Sequence, residues 1–355
     1  MTKKVQTAVV GVTGYAGAEL ARLLLHHPRL KGAAPVFAGR VEDKDAARGG
    51  VPLAEIHPQL GDNNGSGELR LLPFSWEMLA QRGVEVVFLA TPHEQSREWA
   101  PLALKHGLSV IDLSGAWRLN EAANRAIYAF EDESSEQAAA IQAQAVYGMP
   151  ELHRNEIAGA KLVANPGCYA TSVILALKPL VAAGLVDLDR GIVADAKSGV
   201  SGAGKAPTAK THFMYAADNL SAYGVFNHRH TGELLEQIGL DACQIAFTPH
   251  LLPIPRGILS TIYVHFKAPQ TRESIAETYK SFFAGSPMVR LAEKSLPQIQ
   301  YVVRTNYADI GFQLDSGGRR AVIVSCLDNL LKGAAGQAVQ NMNLMLGWGE
   351  PEGLE

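Results

Sequence analysis

Apolar positions follow two different rhythms along this chain. In the first half, Val5–Val10, Ala34–Ala38, Val84–Ala90, Ser109–Leu113 and the run ending at Ala164 are short and nearly continuous, with little polar alternation. Such runs predict strands of a parallel sheet covered on both faces. Ala18–His26 and Gln95–His106 have the helical spacing expected of crossovers, and Glu131–Gln144 reads as a surface helix. Glu42–Glu68, with its glycines, asparagines and two prolines, reads as an excursion or long loop. From Gly191 onward the pattern changes. Ile192–Lys197, Gln244–Thr248, Gly257–Phe266, Val302–Leu314 and Arg320–Leu327 follow one another as strands with few helices between them, Ser274–Ala284 being one. That succession predicts an α+β domain built on a mixed or antiparallel sheet. Ala170–Leu185 and Leu330–Leu346 have helical spacing, and the periodicity does not say to which domain the last belongs.

The first strand ends in Gly11-Val12-Thr13-Gly14-Tyr15-Ala16-Gly17, and a helix follows. Strand, glycine-rich turn and helix form a phosphate cradle: glycines let the backbone approach a pyrophosphate, and the helix start supplies N–H groups. The spacing is GxxGxxG rather than GxGxxG, so the position after the first strand carries the argument. The second strand ends at Gly39-Arg40, about where an acidic side chain would bind the ribose of NAD. Arginine could instead meet the 2′-phosphate of NADP, although Glu42 and Asp43 follow closely. Thr91, Pro92 and Ser114 lie beyond the carboxyl ends of later strands, where ligands of such sheets bind.

Candidate chemistry centres on Asn165-Pro166-Gly167-Cys168, a sharp turn between a strand and a helix. A cysteine at a helix N-terminus is favoured as thiolate and is an activated nucleophile; the alternative is a small buried apolar residue. Asn227-His228-Arg229-His230 places two histidines on one face if extended. They could be metal ligands, a general base or surface groups. No further ligands stand at tight spacing, so no metal is assigned, and a general base beside a cysteine fits better. The glycine-rich loop Lys197–Lys205 suits an anion, or is simply a flexible loop, and Arg256 is another available cation. Cys243 and Cys326 read as core.

At 355 residues, two domains are expected. A hydrophobic content of 47% with net charge −3 supports packed cores and gives no nucleic-acid signature. No stretch has the uncharged length of a membrane span. Three cysteines and no secretory h-region point to a reducing cytoplasm. A glycine cradle, a thiolate and a histidine together suggest hydride exchange with a carbonyl held as a thioester.

The segments GVTGYAGAEL (Gly11 to Leu20), DLSGAWRL (Asp112 to Leu119), YGMPE (Tyr147 to Glu151), NPGCYAT (Asn165 to Thr171), KSGVSGAGK (Lys197 to Lys205), HRH (His228 to His230), FTPHLLPIPRG (Phe247 to Gly257) and DNLLKGAAGQAVQNMN (Asp328 to Asn343) occur in one order along nearly the whole chain. In these the chain resembles the N-acetyl-gamma-glutamyl-phosphate reductase family of arginine biosynthesis. The resemblance implies an α/β fold similar to semialdehyde dehydrogenases: a Rossmann NADP-binding domain, 1–164 with 329–355, and an α+β catalytic and oligomerisation domain with a mixed sheet, 165–328. It implies NADPH, an acyl-phosphate substrate, a homotetramer or homodimer, and Cys168 as nucleophile. His228, chosen over His230, would move the proton. The implied cofactor contacts are Gly11, Thr13, Gly14, Tyr15, Gly17, Arg40, Thr91, Pro92, Ser114, Ser198, Gly199 and Asn329. The implied substrate contacts are Arg118, Asn165, Lys205, Arg229 and Arg256. The family's usual pattern differs at Gly115 to Trp117, at Ala170 and around Gly232, and Trp117 and Ala170 are the changes expected to reshape the pocket. Rivals are reductases of aspartyl phosphate or of an N-blocked aminoadipyl phosphate, and a non-catalytic NADP-binding regulator.

Overall fold

The computed structural model describes residues 4–60, 69–132 and 134–354, which divide into two compact units. The first comprises residues up to Arg118, Phe130–Asn165 and Ala334 to the C-terminus; the second comprises Leu119–Ala129 and Pro166–Gly333.

Eight strands form the sheet of the first unit: β1 (Gln6–Val10), β2 (Val36–Gly39), β3 (Val51–Pro52), β4 (Arg70–Pro73), β5 (Val84–Leu89), β6 (Ser109–Asp112), β7 (Ala145–Tyr147) and β8 (Leu162–Ala164). Their order is β3-β4-β2-β1-β5-β6-β8-β7, and all pairings are parallel except β3 with β4. Ala8 and Val9, on opposite faces of β1, are both buried, and so are Val87 and Phe88 of β5, as continuous apolar runs require. The helix Tyr15–His26 buries Leu20, Ala21, Leu23 and Leu24 and packs against the helix Gly336–Met345, which brings the chain's end back to this unit. Short elements the periodicity did not reveal, β3, β4 and β7, extend both edges. The expected excursion contains β3 and the helical turns Asp43–Ala46 and Leu53–Ile56, and its residues 61–68 lie outside the described residues.

The second unit holds β9 (Ile192–Gly199), β10 (Ser221–Ala222), β11 (Ile245–Leu252), β12 (Ile258–His265), β13 (Val289–Leu291), β14 (Ala308–Leu314) and β15 (Arg320–Leu327) in the order β10-β11-β9-β12-β15-β14-β13. β9 runs parallel to β11 and antiparallel to β12, so the sheet is mixed. In β9, β11 and β12 buried positions alternate with more exposed ones, so one face is packed and the other open. The helix Cys168–Ala182 packs across β12 and β15 and carries 11 buried residues. The strand expected from Val302 begins only at Ala308. Asp328, fully buried, accepts from the backbone N–H of Arg304, and the chain bends around that carboxylate with Arg304 at φ 66°.

Candidate active site

The glycine turn of the first unit is built for close backbone approach. Gly11 has φ 93°, and a methyl group on it would stand 2.3 Å from the carbonyl oxygen of Ala90. A methyl on Gly17 would stand 2.3 Å from the carbonyl oxygen of Gly11. Both glycines are therefore required by the turn itself. Gly14 is different: a methyl there would meet only the Gly11 oxygen at 3.8 Å, so its bare backbone faces open space. That space is a cleft of about 720 Å³ lined by Gly11, Thr13, Gly14, Arg40, Thr91 and Pro92 among others. Buried His57, which the sequence reading missed, braces the turn from below through Nε2 on the Val12 carbonyl (2.8 Å). At the far end Phe74 and Trp99 stack at 4.3 Å and 14° and line the same cleft as Arg40. An open glycine backbone, a cation and an aromatic shelf suit a phosphate, a ribose phosphate and a planar base. Tyr15 and Ser114 are not on this cleft. Ser114 instead caps Asp112, its hydroxyl donating at 2.8 Å, while burial holds that carboxyl above its ordinary range.

The second unit has its own cavity, about 260 Å³, lined by Cys168, His228, Arg229 and His230. Cys168 is the first residue of its helix, two positions earlier than the apolar pattern placed the start. Its thiol is only partly covered, the setting that favours a thiolate. The turn before it is held by Glu233, fully buried, whose carboxylate accepts the Gly167 N–H at 2.9 Å. His230 lies on the same turn: a methyl on Gly167 would stand 2.4 Å from Nε2 of its ring. Gly333 is held small in the same way, because a methyl there would reach within 2.6 Å of Cβ of Cys168.

The two histidines occupy a turn, not an extended segment. Nδ1 of His228 accepts the backbone N–H of His230 at 3.1 Å, and the rings meet edge to face at 4.7 Å. Tyr169, Tyr223 and Phe247 surround His228. That burial, with Arg229 adding to it, pulls His228 down to about 4. It is neutral near pH 7, and its Nδ1 is engaged as an acceptor. Burial also pushes the Tyr169 and Tyr223 phenols up, so both stay protonated.

Ser198 and Gly199, expected at the cofactor, line this second cavity. Other expected residues are committed elsewhere. Asn165 is fully buried; its amide donates to the Ala334 carbonyl and accepts from Asn341, both at 3.0 Å. Arg118 donates to the carbonyls of Asn165 (2.7 Å) and Leu113 (2.9 Å). Arg256 forms an ion pair with buried Asp328 at 3.1 Å. Asn329 accepts from Gly257 N–H (2.7 Å) and donates to Ser201 (2.9 Å). These four brace the chain itself. Lys205 is exposed outside the cavity lining, whereas Lys210, Thr208 and Thr211, which no motif signalled, are part of it. Trp117 and Ala170 are core residues and are not part of the cavity lining; Trp117 lies under the guanidinium of Arg97 at 3.9 Å. Cys326 is buried and pushed up to about 12, but Cys243 is exposed, against the core position expected. Among the described residues no group of three or more His, Cys, Asp or Glu could hold a metal ion, and no helix is long and apolar enough to cross a membrane.

Comparison with known proteins agrees with this two-part architecture. Residues 6–160 match the family described as semialdehyde dehydrogenase, NAD binding domain, and residues 168–329 match semialdehyde dehydrogenase, dimerisation domain. The chain is 42% identical to an N-acetyl-gamma-glutamyl-phosphate reductase of Desulforapulum autotrophicum, covering 99% of this chain and 98% of that one. It is 40% identical to the reductase of the same name from Shouchella clausii, again over 99% and 98%. In fold it is similar to aspartate semialdehyde dehydrogenase II of Vibrio cholerae (TM-score 0.69, 18% identity, 98% and 99% covered). The Candida albicans aspartate semialdehyde dehydrogenase solved with NADP is also similar (TM-score 0.67, 15% identity, 97% and 99% covered).

Proposed function

Because this chain belongs to the N-acetyl-gamma-glutamyl-phosphate reductase family, we propose that it reduces N-acetyl-gamma-glutamyl phosphate to N-acetylglutamate 5-semialdehyde, releasing phosphate, in cytoplasmic arginine biosynthesis. The observation that carries the reading is Cys168 at a helix start with the His230 ring against the preceding glycine, inside one cavity. The Cys168 thiolate attacks the acyl-phosphate carbonyl; the C–S bond forms and the C–O bond to phosphate breaks. The helix N-terminus steadies the sulfur when it is anionic, both before attack and after the thioester is reduced and the C–S bond breaks. His230 holds a proton at Nε2 beside the oxygen that becomes negative. His228 positions His230 through the backbone N–H it accepts, and Glu233 fixes the Cys168 turn. Arg229 and Lys210, both on the cavity wall, meet the substrate's phosphate and carboxylate.

NADPH, when bound, supplies a hydride to the thioester carbonyl. The residues that fit it are in the first unit: Gly11 and Gly14 at the pyrophosphate, Gly17 behind them, Arg40 at the 2′-phosphate, and Thr91 and Pro92 along the cleft. The match of the second unit to a dimerisation domain supports a homo-oligomer, either a dimer or a tetramer.

The test is phosphate-dependent NADP reduction with three aldehydes: N-acetylglutamate semialdehyde, aspartate semialdehyde and the N-blocked aminoadipate homologue. The first should be preferred. Cys168→Ser should keep NADPH binding, measured by calorimetry, and lose turnover by orders of magnitude. Turnover near wild type in that variant would end the thioester mechanism. Preference for either other aldehyde would reassign the substrate while leaving the chemistry in place.

A further inference from the structure

The segment 208–226 shows its cavity-lining residues to one side and a row of large apolar residues to water. Phe213 and Met214 are 75% exposed, Tyr215 66% and Phe226 76%, and Leu220 and Val225 are exposed as well. No other stretch of the described residues concentrates exposed apolar side chains in this way. A patch of this kind on a folded chain marks an interaction surface. The segment joins its own sheet through the two-residue strand β10, paired with β11 at Ser221↔Leu251 and Ala222↔His250. Its tip is organised by local bonds: Thr208 with Thr211, His212 capping Met214, Asn219 on the Tyr215 carbonyl. Phe226 also has φ 62°, a conformation costly for a bulky side chain, and it holds its ring outward.

We propose that 208–226 is an arm that docks on a second copy of this chain, and that the partner thereby holds in place the cavity wall that the arm builds. The occupant follows from the match of residues 168–329 to a dimerisation domain, within which the whole arm lies. An exposed apolar patch is also what an interface between identical chains buries. The consequence for the site comes from the same backbone. Thr208, Lys210 and Thr211 line the Cys168 cavity, while Phe213, Met214 and Tyr215 follow directly. An arm pinned at its apolar side cannot move away from the cavity at its polar side.

Self-association is measured by sedimentation of the full chain and of a Phe213→Ser/Met214→Ser variant across a dilution series. Serine at both positions should weaken association at least about tenfold, and Phe213→Leu/Met214→Leu should restore it. The KM for the acyl phosphate should rise with dissociation, and NADPH affinity, set in the first unit, should not change. That KM arm rests on the Cys168 cavity being the substrate site; the sedimentation arm does not. Unchanged association in the serine variant overturns the proposal. It does so whether KM is also unchanged or is raised, since the latter would make the arm a lid on its own site. Should the variant fail to fold, hydrogen exchange of the wild-type chain decides. Amides of 208–226 must lose protection on dilution, and protection independent of concentration overturns the proposal.

Discussion

Gly167→Ala isolates the relation between the nucleophile's turn and its histidine. Gly167 has φ −73° and ψ 145°, a conformation alanine adopts freely, so the backbone is not strained by the change. The added methyl, however, would stand 2.4 Å from Nε2 and 2.6 Å from Cδ2 and Cε1 of His230. Ordinary contact between such atoms is about 3.5 Å, so the ring must retreat by about 1 Å. Catalytic geometry tolerates little of this; a misplacement of about 1 Å can cost roughly a hundredfold in rate. The imidazole can move as a side chain, so the loss of stability should be small, on the order of 1 kcal/mol. The variant should therefore show kcat down about a hundredfold in phosphate-dependent NADP reduction, with Tm nearly unchanged and NADPH affinity intact. A double variant makes the test specific. If the methyl acts only by displacing His230, Gly167→Ala/His230→Asn should be no slower than His230→Asn alone. Additive losses, or a near-wild-type kcat in Gly167→Ala, would refute the placement of His230 as the working group.

Two further outcomes follow from other parts of the molecule. Arg40→Ala should weaken NADPH by about 1–3 kcal/mol, the range for a charge-assisted contact, and leave NADH unaffected; equal losses in calorimetry would remove Arg40 from the 2′-phosphate. His228 is held at about 4 in the folded chain against 6.5 when free, so the unfolded chain takes up a proton that the folded one refuses. Stability should thus be full above about pH 6.5 and fall as pH drops toward 4, by at most about 3 kcal/mol from this group, and thermal melts of His228→Asn should lack that part of the slope.

Much of the architecture was legible because burial leaves a mark on composition. β1 and β5 are covered on both faces, so an unbroken apolar run such as Ala8, Val9 and Val10 is unavoidable there, whereas β9, β11 and β12 alternate because one face is open. The edge strands β3, β7 and β10, of two or three residues each, are too short to show any period. The break before β14 was hidden for another reason. It is imposed by Asp328, more than twenty positions along the chain, whose buried carboxylate draws in the Arg304 N–H, the N–H groups of Leu330 and Leu331, and Arg256. A buried charge needs several partners, and no local pattern announces which residues it will recruit. The same cause engages Arg118, Arg256, Asn165 and Asn329 within the chain. Side chains suited to binding an anion or an amide ligand are equally suited to binding carbonyls and carboxylates of the chain itself.

The order of the two histidines was unreadable on different grounds. Two positions apart, they would share a face of a strand, and nothing in the residue types distinguishes them. Their separation arises from the turn, in which the Thr231 N–H bonds the His228 carbonyl and the His230 N–H bonds the His228 ring. One ring is thereby surrounded by Tyr169, Tyr223 and Phe247 and loses its cationic form; the other is carried to the helix that begins at Cys168. The arrangement makes His228 a fixed, neutral acceptor whose protonation would break the bond it makes. Below its pKa, Nδ1 of His228 gains a proton and can no longer accept the His230 N–H, so acid should cost activity by releasing the turn that positions His230. Cys168 was more legible because its chemistry is written into local backbone: a turn of proline and glycine before an apolar helix leaves one place for the first helical residue, and that place is where a thiolate is favoured.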